Sequence, residues 1–346
     1  MTGGILHDEA LVVDVHTHGT ALLPQPARGL YRLVNRLTMP PDVGFVELAA
    51  AGVDAVVAKA VGDPIVTRWH RGGAWAAVLA QLERLQADAR RAGARVVSGA
   101  AEIRAAGDEG RTAVVLGLEG ADAIGDDLSR LDHLRQLGVR VVVPVHLGDN
   151  QLGTTSLPWQ RYVGPLPVRR RRAPGLSELG RMAVARMNDL GIVVDLAHAD
   201  RATTLEAAAA SRDPVISSHT GAQALQDFAR FLSDDEIRAI AATGGLVGLW
   251  PYRHRGRGVA DVADLVAHAR HMAGLVGAGH LCLGTDMNGV PGLMDGYRRE
   301  HDLRGVTEAL LAGGFSEPEV RGVLGENFLR VLDTVDAGQS GGRTAS

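Results

Sequence analysis

The sequence predicts an α/β fold, a (β/α)8 barrel, on two observations. Eight short apolar runs alternate with helical stretches along nearly the whole chain, as parallel βα units do. Six residues able to bind a metal ion also stand at or just past the downstream ends of those runs. The carboxyl ends of parallel barrel strands converge on one face, where such folds keep their chemistry. At 346 residues and 46% hydrophobic, the chain suits one barrel of roughly 250–400 residues. The reading is a single domain over 1–336, followed by a small, polar and disordered tail over 337–346.

The apolar runs lie at 11–15, 54–58, 113–118, 141–145, 192–196, 214–218, 245–250 and 281–285. Most are continuous in Val, Leu, Ile and Ala, which marks strands covered on both faces. Helices are expected over 74–92, 121–137, 175–190, 201–210, 234–242 and 259–276, then 301–313 and 316–335. Asp200 reads as an N-cap, and Ser233 with Glu236 makes a capping box. Two long connections, 19–45 and 147–174, leave the carboxyl ends of strands and are placed to wall an active site. The second carries the run Arg169–Arg172, which reads as a solvated loop.

Composition excludes several functions. A formal charge of −4 gives no field for nucleic acid or an anionic membrane. No apolar run approaches the ~18 residues of a membrane span. Met1–Ala10 lacks a signal-peptide pattern, and the one cysteine, Cys282, suits a reducing compartment, so a cytoplasmic location is expected. Lys59 is the only lysine among 36 basic residues, a bias that reads as genomic.

His16 and His18 follow the first run at a spacing that puts both imidazoles on one face of a strand. Glu119 ends the third run; a carboxylate buried there must be paired or metal-bound, and among the other ligands it reads as a bridge between two metals. His198 and His219 end the fifth and sixth runs. Asp286 ends the eighth, placed to take a proton from metal-bound water and pass it to a leaving amine. Nitrogen and oxygen ligands without thiolate suit zinc or a similar ion. His146 ends the fourth run as a candidate for oxyanion stabilisation. Asn150 and His254, on the same side, are candidate substrate contacts. His7, His70, His133 and His301 read as exposed, His268 and His271 as a surface pair, and His280 as lying at the far end of the barrel.

The order HxH, Glu, His, His, Asp resembles the membrane (renal) dipeptidase family of the amidohydrolase superfamily. Gly175–Gly180, Met187–Gly191, Val194–His198, Arg230–Asp234 and Gly325–Arg330 agree with it, so the likeness covers roughly 10–335. The resemblance implies a barrel with two zinc ions per chain that hydrolyses the amide of dipeptides or dipeptide-like compounds through a metal-bridging hydroxide. It implies one metal held by His16, His18 and Glu119 with Asp286 nearby, and another held by Glu119, His198 and His219. Arg230 matches the position that grips the substrate carboxylate, and His146 the histidine that polarises the scissile carbonyl. Dimers are common in that family, although this sequence carries no interface signature. Two departures stand out: His18 where the family carries Asp, and Leu147 where it often carries Asn. Both keep a different amide, a lactam or a lactone open as the substrate.

Overall fold

The structure is a computed structural model that describes residues 3–18, 44–163, 167–168, 170 and 173–342. Most of the 19–45 connection, and Arg169, Arg171 and Arg172 of the arginine run, lie outside the described residues. Eight parallel strands form the barrel: β1 (Val13–Thr17), β2 (Ala55–Val61), β4 (Ala113–Glu119), β5 (Val139–Val143), β6 (Val193–Val194), β7 (Ile216–Thr220), β8 (Leu246–Leu249) and β11 (Leu281–Leu283). The hydrogen-bonded order is β6-β5-β4-β2-β1-β11-β8-β7. The parallel bridge Asp195–Ile216 closes the ring between β6 and β7, helped by Leu196 N–H donating to the Ile216 carbonyl at 2.6 Å.

Each of the eight apolar runs thus overlaps a strand. An additional short strand, β3 (Arg95–Val97), pairs with the first half of β4, whose second half pairs with β5. A hairpin of β9 (Arg253–His254) and β10 (Arg257–Gly258) projects after β8. Asp200 accepts from Thr203 N as an N-cap, and the capping box of Ser233 and Glu236 is formed.

Burial explains the continuous apolar runs. On β4, Val114, Leu116 and Leu118 join the layer under the outer helices, while Ala113 and Val115 join an inner cluster with Val57, Val141 and Ile216. Phe328, Leu332 and Val335 of the last helix, Asn327–Gly342, cap that inner cluster. Asn327 Nδ2 fixes the helix by donating to the carbonyls of Ala278 (2.9 Å) and Leu281 (2.8 Å).

That helix corrects the expected boundary at 336, since it runs on to Gly342. Gln339 Nε2 donates to the Asp189 carbonyl at 3.2 Å, a tertiary contact that local composition does not reveal. Residues 343–346 lie outside the described residues. Two histidines are also corrected. His7 is buried with Nδ1 2.8 Å from Thr307 Oγ1, and His268 is buried with Nδ1 accepting from Ala222 N at 2.9 Å.

Close backbone approach sets the level of the site. A Cβ on Gly248 would lie 1.7 Å from the Ser218 carbonyl oxygen, and one on Gly284 would lie 1.9 Å from the same atom. Glycine at both positions lets β8 and β11 close on β7 one residue below His219. Registers slip between Asp14 and Thr17 on β1 and between Ser217 and Thr220 on β7, irregularities of the kind that re-aim side chains at a barrel rim.

Candidate metal centre

Glu119, at the end of β4, is the hub of the site. His16 Nε2 and His198 Nε2 each lie 3.3 Å from its Oε1, and His219 Nε2 lies 4.0 Å away. Its Oε2 lies 3.2 Å from His18 Nε2 and 3.5 Å from His146 Nε2. Asp286 completes the ring, with Oδ1 3.5 Å from His18 Nε2 and 3.8 Å from His16 Nε2, and Oδ2 3.8 Å from His219 Nε2. All seven side chains are buried. The sequence placed these residues at successive strand ends, and the barrel brings them together.

Strain accompanies the convergence. His198 and Asp286 hold φ values of 71° and 55°, a left-handed conformation that is costly for residues other than glycine and concentrates at functional sites. Asp286 is held there by its backbone N–H donating to the His16 carbonyl at 2.8 Å.

The donor set fits divalent cations. Oxygen and imidazole ligands without thiolate suit zinc-like ions. His16 Nε2 and Glu119 Oε1 are fully buried without hydrogen-bond partners, an arrangement a cation would relieve. Ligand atoms within 4.8 Å of one another form three groups: His16, Glu119 and His219; His16, His18 and Asp286; and Glu119, His146 and His198. The third group brings His146 nearer the ligand set than its sequence position suggested.

Below the ligands lies a layer that sequence reading missed. Lys59 is buried and paired with Asp195, with Nζ 2.9 Å from His16 Nδ1. Asp195 Oδ1 accepts from Ala197 N (3.1 Å) and Ser218 N (2.9 Å). The Ser218 hydroxyl stands 2.9 Å from His16 Nδ1 and 3.0 Å from His219 Nδ1, so two imidazoles of the cluster rest on one hydroxyl that fixes their orientation. His18 Nδ1 lies 3.2 Å from the Lys59 carbonyl. As the only lysine, Lys59 read as a compositional oddity. The signal available was a lone cation inside an otherwise apolar strand.

Proton affinities follow the charge layout. Burial, then Arg230 and neighbouring histidines, hold His198 and His219 well below the usual imidazole range, so both are neutral and able to coordinate. Burial and Lys59 lower His16. Burial opposes a charge on His18, yet Asp286 and Glu119 outweigh it and raise the group to about 10. The anionic ring thus holds a proton on His18 where it would otherwise hold a cation. Burial also disfavours the Glu119 carboxylate, but His146 and His16 outweigh it and depress its pKa well below the ordinary range.

A cavity of about 210 Å³ opens above the cluster, bounded by His18, Glu119, His146, Asp286, Trp250 and Tyr162, with Leu147 also on its wall. His146 is oriented by its Nδ1 2.6 Å from Asp63 Oδ2. Arg230 is buried with its guanidinium carbon 5.0 Å from the Trp250 ring centre, and its Nε and Nη2 lack hydrogen-bond partners. Its charge reaches His198, His219 and the Tyr162 hydroxyl. Asn150 is not among the cavity's lining residues. Its amide donates to Asp122 Oδ2 and the Pro144 carbonyl and accepts from Leu152 N and Gly153 N, which makes it a turn former. His254 lines a neighbouring cavity.

Comparison with known proteins identifies the family. The model of the membrane dipeptidase family, Peptidase family M19, matches residues 5–345. The chain belongs to that family. It is 32% identical over 231 residues to the dipeptidase aclJ of Aspergillus oryzae, covering 66% of this chain and 52% of that protein. It therefore matches about half the length of that curated relative. Among solved structures, an amidohydrolase from Pseudomonas aeruginosa superposes with a TM-score of 0.75 at 25% identity, over 97% of this chain and 99% of the other. The metallo peptidase dipeptidase AC superposes at 0.78 and 25% identity, over 94% of this chain and 98% of the other.

Two outcomes follow. Lys59→Met leaves Asp195 buried without its cation and should cost roughly 3–5 kcal/mol in urea unfolding. Adding Asp195→Asn, which keeps one acceptor for Ala197 N and Ser218 N, should recover a clear part of that loss; a double variant as unstable as the single one would mean the unpaired charge is not the cause. Cation binding must also expel the His18 proton, whose pKa near 10 keeps it bound across neutral pH. Apparent zinc affinity, measured against a competing chelator, should therefore rise about tenfold per pH unit from pH 7 to 9. A flat profile would contradict this proton inventory.

Proposed function

We propose that this protein is a metal-dependent dipeptidase acting at the Glu119-centred cluster. The observation that supports it most is one buried carboxylate shared by His16, His18, His198 and His219 with Asp286 alongside, in a member of this family. His16, His18 and Asp286 would serve one zinc ion and His198 and His219 a second, with Glu119 common to both. Such a pair, when bound, supplies Lewis acidity and makes a water molecule acidic enough to attack an amide at neutral pH.

The chain's own groups do the remaining work. Asp286 lies within 4 Å of nitrogen ligands on both sides and borders the cavity, so it is placed to take the attacking water's proton and deliver it to the departing amine. Burial works against a proton on His146, but Glu119 and Asp63 outweigh it and raise its pKa. When doubly protonated, with Nδ1–H donating to Asp63, it would present Nε2–H to the cavity as a donor to the developing oxyanion. Arg230 has two nitrogens unengaged and suits a substrate carboxylate. Trp250 and Leu147 keep the cavity wall apolar, which strengthens these interactions.

A second reading, hydrolysis of another amide, a lactam or a lactone, is favoured by His18 and by Leu147 on the cavity wall. A dipeptide, lactam and lactone panel on zinc-loaded protein, with products quantified, separates the two. Within the dipeptidase reading, Asp286→Asn should lower turnover by at least 10³-fold, about the scale of removing an acid–base group. Metal content by elemental analysis should stay near wild type. Near-normal turnover in that variant would remove Asp286 from the proton path.

A further inference from the structure

The metal cavity has two neighbours of opposite charge. One, of about 260 Å³, shares Leu147 and Trp159 with it and is lined by Asp63, Asp122 and Asp149, with Arg68 the one cation among the described residues. The other, of about 670 Å³, shares Tyr162 and Tyr252 with it. Its charged lining residues are Arg161, Arg170, Arg255 and Arg257, with His254 beside them and no carboxylate among the described residues. Arg170 is engaged with Asp149 at 2.7 Å. Among the described residues, neither Arg161 nor Arg257 forms an ion pair. The β9–β10 hairpin presents Arg257, and its tip is a two-residue turn with Arg255 at φ 51° and Gly256 at φ 74°, the left-handed pair that holds a tight hairpin rigid.

In the dipeptidase reading, Arg230 would orient a substrate relative to these chambers. Its guanidinium reaches the Tyr162 hydroxyl, and Tyr162 stands on the wall between the metal cavity and the basic chamber. An α-carboxylate held by Arg230 would therefore place the carboxyl-terminal residue on the Tyr162 side of the metal cavity, beside the arginines. We propose that the basic chamber selects substrates whose carboxyl-terminal residue carries a second acid group, as in dipeptides ending in Asp or Glu. This rests on the dipeptidase reading for the bond that is cut, but the chamber's preference for a second carboxylate can be measured without turnover.

The test uses the zinc-loaded full chain and four dipeptides, Ala-Glu, Ala-Gln, Glu-Ala and Gln-Ala, each with both configurations of the second residue. Two partly exposed guanidinium contacts in a shared chamber should raise kcat/KM for Ala-Glu about tenfold over Ala-Gln, an advantage that shrinks with added salt. Glu-Ala should gain nothing over Gln-Ala. Arg161→Met/Arg257→Met should erase the Ala-Glu advantage and leave Ala-Gln within about twofold. In parallel, calorimetry with glutarate and its monoamide reads the chamber directly. Glutarate should bind about tenfold more tightly than the monoamide in wild type, and equally in the double variant. If all four dipeptides resist cleavage while glutarate retains its arginine-dependent advantage, the dipeptidase reading fails and the acidic-ligand assignment stands. Equal binding of glutarate and its monoamide, or an advantage untouched by the double variant, would overturn the assignment.

Discussion

A carboxylate buried at the centre of a barrel mouth, with imidazoles on both of its oxygens, is the constraint that organises this protein. Glu119 cannot stay ionised in an apolar interior without compensation. The compensation comes from His16 and His18 at the end of β1 and His146 after β5, while His198 after β6 and His219 on β7 complete the ring of imidazoles. Each of those strands must end at the same height, and the glycines facing the Ser218 carbonyl and the register slips on β1 and β7 are the local means of reaching it.

Charge alternates with depth. At the rim stand Asp286 and the imidazoles; beneath them lie Lys59 and Asp195, neutralising each other while steadying His16 through Nδ1. Lower still lies an apolar cluster, from Val57 and Val115 to the capping residues Phe328 and Leu332. The lysine and aspartate form a transition layer between a rigid hydrocarbon floor and a polar reaction surface. That layer lets a ligand set with several titratable groups remain ordered while buried.

Much of this was legible in sequence, for a physical reason. Strands covered on both faces read as unbroken apolar runs, and a polar residue ending such a run must face the mouth, so His16, His18, Glu119, His198, His219 and Asp286 stood out. Features built from tertiary contact did not. β3 has only three residues and is recognisable only through its pairing with β4. The last helix extends past 336 because Gln339 finds the Asp189 carbonyl 150 residues away. Lys59 looks like any strand residue until Asp195 is seen beside it. Asn150 shows the converse: a polar residue near the mouth whose amide is taken up by its own turn, the Pro144 carbonyl and Asp122 has no hydrogen bond left for a ligand.

The central claim is that Glu119 is shared by two cations. Anomalous diffraction at the zinc edge from crystals of zinc-loaded protein addresses it most directly. Two peaks should flank the Glu119 carboxylate roughly 3.5–4 Å apart, one toward His16 and His18 and the other toward His198 and His219. A single peak, or none within reach of Glu119, would contradict the account.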